Sequence, residues 1–338
     1  MGRQACLPVG REKRSKMALQ KNVLVTGGAG FIGSHLCERL LTEGVHVICL
    51  DNFDSFYDPN IKIKNVGGLV RKFPGQFEIV AGDIRNREQL QEVFKKNRMD
   101  LVVHLAARAG VRPSITDPML YQDINIRGTI VLLESCKEFG IKDFIFASSS
   151  SVYGETRKVP CSEEDFDTQP ISPYGATKRA GELLCYSYHH LHGMNIACLR
   201  IFTAYGPRQR PEMAIHKFTR LIDHGETIPM YGDGSSRRDY TYIDDLIEGM
   251  LAVIHRHQGF EIYNLGESQT TSLKELIDLI EEALDKKANI ERLEPQPGDV
   301  SVTYANVTKA RRMLGYEPKV NMKEGIKRFV EWYKGKQD

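Results

Sequence analysis

The sequence predicts an α/β protein built on a doubly wound parallel sheet, with a smaller C-terminal lobe. Three observations predict it. Short apolar runs alternate with amphipathic stretches of helical period, the pattern of buried parallel strands joined by crossover helices. The first run opens directly onto three glycines, and the second ends on an acid, Asp51. The length, 338 residues, exceeds what one small core needs and suits a large α/β unit with a second lobe.

Composition narrows the class. Apolar content of 41% and charged content of 27% describe an ordinary soluble globular chain. A formal charge of +2 sets up no field for nucleic acid. Residues 1–20 hold five Lys/Arg and one Glu, and without them the balance turns to −2. That segment reads as a disordered basic tail, and Met17 offers an alternative start. It lacks an apolar run long enough for a signal or an anchor, and no other stretch is long enough to span a bilayer. The seven cysteines (6, 37, 49, 136, 161, 185 and 198) form no Cys-x-x-Cys. Such a set points to a reducing, cytoplasmic compartment and to buried thiols. His189, His190 and His192 crowd together without a carboxylate or thiol at ligand spacing. They are read as a polar helix end, and no metal site is expected.

The elements follow in order. Val23-Leu24-Val25 is a short buried strand. Gly27, Gly30 and Gly33 then form Gly-x-x-Gly-x-x-Gly, and an amphipathic helix runs on to Gly44. The glycines let the chain turn tightly and let a pyrophosphate approach the helix N-terminus, where free N–H groups favour anions. Phe31 and Ile32, between them, share that contact. The next strand, VHVICL, ends at Asp51, 18 residues past Gly33, where a ribose-binding carboxylate belongs. Asn52 follows it into the site. An acid there accepts from a free 2′-hydroxyl and repels a 2′-phosphate, which favours NAD over NADP. FEIVAGDI brings Asp83 and Ile84 to a strand end, at the adenine. In LVVHLAA (101–107), Leu105, Ala106 and Ala107 let the backbone lie against the cofactor.

Residues 119–139 repeat at helical spacing and read as core and subunit interface. DFIFASSSSVYG (143–154) is a strand ending in hydroxyls, on the edge where open parallel sheets bind ligands. Tyr174-Gly-Ala-Thr-Lys178 then places a phenol and an ammonium one helical turn apart on one face. A free phenol, with a pKa of about 10, is a poor base at neutral pH. A neighbouring ammonium favours the phenolate and is expected to draw that pKa down.

In this order and spacing, TGGAGFIG, HLAA, SSSSVYG and YGATK resemble the extended short-chain dehydrogenase/reductase family of NAD-dependent nucleotide-sugar enzymes. The resemblance covers residues 21 to about 335. It implies a Rossmann domain over 21–202, with a returning segment near 237–265, that holds NAD permanently. The remainder, 203–335, is then mainly a UDP-sugar-binding lobe. It also implies Tyr174 as the base, Lys178 on the nicotinamide ribose and Ser149 on the reacting sugar hydroxyl. A homodimer built from two helices per subunit is implied as well.

Family members that dehydrate or decarboxylate resemble one another in carrying a Glu two residues before the Tyr of the V-Y-G turn, the dehydratases also an Asp just before it. This chain has Ser151 and Ser150 there. Without either acid, the expected outcome is return of the hydride to the opposite face, which is epimerisation at C4. The stretch RIFTAYGPRQRPEMAIHKF (200–218) speaks to the sugar. Hexose and N-acetylhexosamine epimerases usually carry Asn where this chain has Thr203. The form F-T-x-Y-G-P-x-x-R-P-x-M-A, like DNFDSFYDP (51–59) and AARAGVR (106–112), resembles the UDP-glucuronate 4-epimerase branch.

Arg210 would give a C6 carboxylate a bidentate pair, and Thr203 would add a hydroxyl. With Ser149, Ser150 and Ser151 they would hold that carboxylate out of line with a C4 ketone, which would otherwise expel it as CO2. The other reading of Arg210 is a phosphate or surface-loop arginine beside Pro211. Arg112 is either part of the sugar site or a structural loop arginine. In the C-terminal lobe the resemblance puts Arg238 on the UDP pyrophosphate, Tyr231 near the uracil and Asp299 in a loop that closes on the nucleotide. Asp244 or Asp245 is expected to cap a helix, and Asn306 to serve capping more than chemistry. The expected function is reversible conversion of UDP-glucuronate to UDP-galacturonate through a transient 4-keto sugar. UDP-glucose or UDP-N-acetylglucosamine is the alternative substrate.

Overall fold

The computed structural model describes residues 22–156, 158–295 and 298–335; the tail expected over 1–20 lies outside them. Seven strands form one parallel sheet. They are β1 (Asn22–Thr26), β2 (His46–Asp51), β3 (Phe77–Ala81), β4 (Leu101–His104), β5 (Asp143–Ala147), β6 (Asn195–Ile201) and β7 (Phe260–Leu265). Their order is β7-β6-β5-β4-β1-β2-β3, all pairs parallel. The chain winds outward from β1 to β3, returns to lay β4 beside β1, and winds out the other way. That reversal opens a crevice at the carboxyl ends of β1 and β4, where sheets of this kind bind ligands.

The sheet is buried on both faces, which explains the unbroken apolar runs. Val23, Val25, Val47, Cys49, Val103 and Leu199 pack into one layer. Their neighbours Leu24, Ile48, Leu50, Val102 and Cys198 pack into the other. The helix after β1, Phe31–Thr42, starts hard against the turn before it. A Cβ on Gly33 would lie 2.2 Å from the Gly27 carbonyl oxygen, so only glycine allows that start. A similar contact seats the helix Pro173–His192 on β5, since a Cβ on Gly181 would lie 2.3 Å from the Phe146 ring.

Three short strand pairs follow the reversal. Thr203–Tyr205 pairs with Tyr240–Tyr242, and Thr227–Tyr231 with Asn289–Leu293, both parallel. Arg237–Arg238 pairs antiparallel with Thr271–Ser272. They carry Thr203, Tyr231 and Arg238.

Local readings meet the structure unevenly. The helix expected over 119–139 is Pro118–Gln122, a π turn at Asp123–Arg127, and Gly128–Glu138. The three histidines occupy the last turn of Pro173–His192. Asp244 and Asp245 do not cap Ile243–Arg256. Tyr242 holds the cap position without a side-chain bond, and both acids lie inside the first turn, where the helix dipole favours them. Asp245 instead accepts the amide of Val320 at 2.9 Å. Asn306 does accept an amide at a helix start, that of Thr308 at 3.0 Å.

Candidate active site

The floor of the crevice is a buried polar chain. Thr26 Oγ1 lies 2.8 Å from His104 Nδ1, and His104 Nε2 lies 3.0 Å from Thr129 Oγ1. Thr129 spends its proton on the Asn125 carbonyl at 2.6 Å. It must therefore accept from Nε2–H, which leaves Nδ1 to accept from Thr26. Burial pushes the His104 imidazolium down to about 3. It is a neutral strut, not a proton carrier.

One cleft runs above this floor. Gly27, Gly30, Phe31, Ile32 and Gly33 line it from the first turn, Asp51 and Asn52 from the end of β2, and Asp83 and Ile84 from beyond β3. Leu105, Ala106 and Ala107 line it from the end of β4. The helix Phe31–Thr42 begins without a side-chain cap, so its first N–H groups remain for an anion. That uncapped start, pressed on a turn with no room for a Cβ, fits a dinucleotide pyrophosphate. Asp51 is more engaged than the sequence predicts. It accepts from Ala29 N at 3.2 Å and from Phe53 N at 2.9 Å, and pairs with buried Lys62 at 3.2 Å. Lys62 offsets part of the charge that was expected to repel a 2′-phosphate.

The same cleft gathers Ser149, Ser150 and Ser151, Tyr174 and Lys178, and Thr203 and Arg210. Ser172 caps the helix of Tyr174 through the amide of Gly175 at 3.1 Å. The Lys178 ammonium has partners of its own. Lys178 turns its Nζ to the Ala147 carbonyl at 2.7 Å and over the Phe146 ring at 5.0 Å. Burial lowers its own pKa to about 8. Burial also raises the Tyr174 phenol above its ordinary value, and the groups that pull it back are Ser149 and Arg210. Ser149 Oγ accepts the amide of Ser151 at 3.1 Å, which leaves its proton free to donate to the phenol oxygen.

A second cavity adjoins the first through Val111, Ser150, Ser151, Phe202 and Thr203. Arg238 and Asp299 line it. Tyr231 lines neither cavity. Its ring is covered by Arg112 at 4.4 Å, and Arg112 pairs with Asp299 at 2.6 Å. Behind this cavity Asp239 ties its walls together. Its carboxylate accepts the amides of Glu267, Ser268 and Ala305 at 2.7, 3.1 and 3.0 Å, and its carbonyl takes the amide of Thr203 at 3.0 Å.

Two acids at this junction are raised. Burial lifts Asp239 to about 6 despite its amide donors. Burial, and then Asp245 and Asp239, lift Glu267 to about 8, while Arg311 pulls the other way. The Glu267 Oε2 atom has no hydrogen-bond partner among the described residues. Between the unfolded carboxyl range and pH 8 the folded chain binds more protons than the unfolded one, so stability falls as pH rises through that window. Glu267→Gln is expected to raise the thermal midpoint at pH 8.5 and to leave it nearly unchanged at pH 5. Equal shifts at both pH values in differential scanning calorimetry would contradict the assignment.

Sequence reasoning missed four residues here. Lys62 on Asp51, Phe56 with its ring under Arg108 at 4.3 Å, and Asp239 act through partners distant in sequence. Asn125 is delivered by the π turn and clamps Arg108, accepting its amide at 2.8 Å and donating to its carbonyl at 3.0 Å. It also donates to Thr177 Oγ1 at 3.0 Å, which fixes that wall to the helix of Tyr174.

This arrangement sets a glycine turn, a strand-end acid and a buried phenol in one cleft, with an arginine-lined cavity adjoining it. The family model described as GDP-mannose 4,6 dehydratase matches residues 24–329, and the chain belongs to that family. It is 43% identical over 313 residues to the UDP-glucuronate 4-epimerase of Thermodesulfobacterium geofontis, covering 92% of this chain and 95% of that one. Among solved structures it is similar to the UDP-glucuronic acid 4-epimerase of Bacillus cereus in complex with UDP-glucuronic acid and NAD. The TM-score there is 0.87 at 38% identity, covering 93% of this chain and 99% of the other. It is also similar to a UDP-glucose 4-epimerase with UDP-glucose from Thermotoga maritima, with a TM-score of 0.86 at 34% identity, covering 94% and 100%.

Proposed function

We propose that this chain interconverts UDP-glucuronate and UDP-galacturonate by epimerisation at C4, using tightly bound NAD. The observation that carries the reading is the presence of Arg210 and Thr203 in one cleft with Tyr174, Lys178 and three serines, where neither acid of the dehydrating members is found. The backbone likeness to both glucuronate and glucose epimerases leaves the sugar to these side chains. NAD supplies the acceptor and donor of the C4 hydride when bound. Gly27, Gly30, Gly33, Asp51 and Lys178 would hold it.

Tyr174 takes the C4 hydroxyl proton and later returns it, with Ser149 donating to the oxygen that bears the charge. Arg210, Thr203, Ser150 and Ser151 hold the C6 carboxylate out of line with the C4 ketone. Arg238 and Asp299 serve the UDP moiety, and Arg112 closes on it through Asp299. We further propose the division into a cofactor body over 21–202, completed by β7, and a substrate lobe over most of 203–335.

A second copy would pair along the helices Gly128–Glu138 and Pro173–His192; Leu183 and Tyr186 are exposed on the latter. No helix among the described residues is long and apolar enough to cross a membrane. The six described cysteines are buried free thiols, which suits a reducing cytoplasm.

The test is direct. Purified protein is incubated separately with UDP-glucuronate, UDP-glucose and UDP-N-acetylglucosamine without added cofactor, and products are resolved by proton NMR. UDP-galacturonate from the first alone supports the reading, whereas turnover of only the neutral sugars sinks it. Arg210→Ala is expected to raise KM for UDP-glucuronate roughly 10- to 150-fold, the worth of one charge-assisted contact. It should also release UDP-pentose by decarboxylation. Unchanged KM and a clean product would show that Arg210 does not face the carboxylate.

A further inference from the structure

We propose that Phe56 is a positioning residue for the uronate subsite. The strap Asp51–Asp58 sets its ring within cation–π reach of both Arg108 and Arg210, and this fixes the guanidinium that meets the C6 carboxylate. The inference rests on the reading above, that the substrate is a UDP-uronate. The strap is built to hold one shape. Asp51 accepts the amide of Phe53 at 2.9 Å, Asn52 that of Asp54 at 3.1 Å, and Asp54 that of Phe56 at 2.8 Å. Asp58 accepts that of Asn60 at 3.0 Å, where the next helix begins. Each bond joins a side chain to the backbone two residues on, and the repetition removes most of the freedom a loop of this length would have. Lys62 anchors the start of the strap through Asp51.

The shape matters at Phe56, which lines the cleft. The Arg108 guanidinium lies 4.3 Å from the ring centroid and that of Arg210 lies 5.6 Å away, both within cation–π range. Two cations on one ring repel each other, so each needs an acid. Asp54 takes Arg108 Nη1 at 2.5 Å with the same oxygen that holds the Phe56 amide. Glu212 takes Arg210 Nε at 3.1 Å. The ring and Glu212 thus orient Arg210 before any ligand arrives. An arginine oriented in advance loses less side-chain freedom on binding a carboxylate than one that must be ordered by it. The same orientation bears on fidelity, because a carboxylate allowed to swing into line with the C4 ketone is lost as CO2.

The experiment compares the full-length wild type with Phe56→Leu, which keeps apolar bulk without a π face, and with Phe56→Tyr, which restores the face. Asp54→Asn serves as a second variant, since an amide oxygen can still accept the Phe56 N–H while the charge that holds Arg108 at the ring is lost. KM for UDP-glucuronate, the affinity for UDP by calorimetry, bound NAD and the share of UDP-pentose among products are read for each. Phe56→Leu is expected to raise KM roughly 5- to 30-fold, the range from an exposed to a desolvated cation–π contact, and to increase UDP-pentose. UDP affinity and bound NAD should stay at wild-type values, and Phe56→Tyr should restore KM. Asp54→Asn should move KM in the same direction by less. Loss of UDP affinity or of NAD in step with KM would mean a general structural role and overturns the inference. So would an unchanged KM in Phe56→Leu beside an active wild type, which leaves the proposed function standing. A wild type that does not convert UDP-glucuronate overturns both.

Discussion

Tyr174→Phe is expected to lower kcat by about 10³-fold or more, at the upper end of what one proton-transfer group contributes, with bound NAD and UDP affinity retained. The substitution removes one oxygen. The ring keeps its edge contact with Tyr121, whose centroid lies 6.3 Å away. The backbone around it is held independently, by Ser114 Oγ on the amide of Tyr174 at 3.1 Å and by the Ser172 cap. Because burial raises the phenol, the wild-type rate should rise with pH as the phenolate fraction grows. Ser149 favours that phenolate, so Ser149→Ala should displace the rising limb to higher pH as well as lower kcat. Proton NMR of UDP-glucuronate turnover across pH 6–10 reads both effects. A Phe variant with near-normal kcat would remove Tyr174 from the chemistry. One that loses its NAD would make the residue structural.

The parts of this site that were legible in the sequence are those written in local spacing. A strand, a glycine turn, a helix and Asp51 at the end of the next strand share one βαβ unit, and each constrains the next within about 30 residues. Tyr174 and Lys178 likewise share one helical turn. The charge relations were not legible, because they are set by which groups converge on an atom from elsewhere in the chain. Lys178 was expected to tune Tyr174 through proximity in sequence, yet its ammonium is drawn to a carbonyl at the end of β5, and the pull on the phenol comes from Ser149 and Arg210, remote in sequence. Lys62 reaches Asp51 only because the following helix folds back over the strand end. Asp244 and Asp245 look like caps in one dimension. The cap falls to Tyr242 because the preceding strand, Tyr240–Tyr242, runs straight into the first turn.

Arg200→Met is expected to destabilise the protein by about 3–5 kcal/mol, the cost of leaving a buried carboxylate without its cation. Arg200 and Glu182 are each 1% exposed and meet through two bonds, Nε to Oε1 at 2.9 Å and Nη2 to Oε2 at 3.0 Å. Arg200 also lies over the Tyr153 ring at 4.7 Å. Glu182 further accepts Ser148 Oγ at 2.6 Å and Arg179 Nη1 at 2.8 Å, but Arg179 is partly exposed and cannot replace a buried partner. Removing both charges, in Arg200→Met with Glu182→Leu, should recover most of the lost stability, since a well-packed apolar pair is often as stable as a buried ion pair. Urea midpoints of the single and double variants test this, and a double variant as unstable as the single would refute it. The double variant has a further use. Glu182 lies one turn beyond Lys178 on the same helix; it accepts the hydroxyl of Ser148, beside Ser149, while Arg200 ties it to β6, so the network joins the carrier of the base to the ends of two strands. If stability returns while kcat stays low, the ion pair is there to hold Tyr174, Lys178 and Ser149 in register, and its burial serves geometry more than stability.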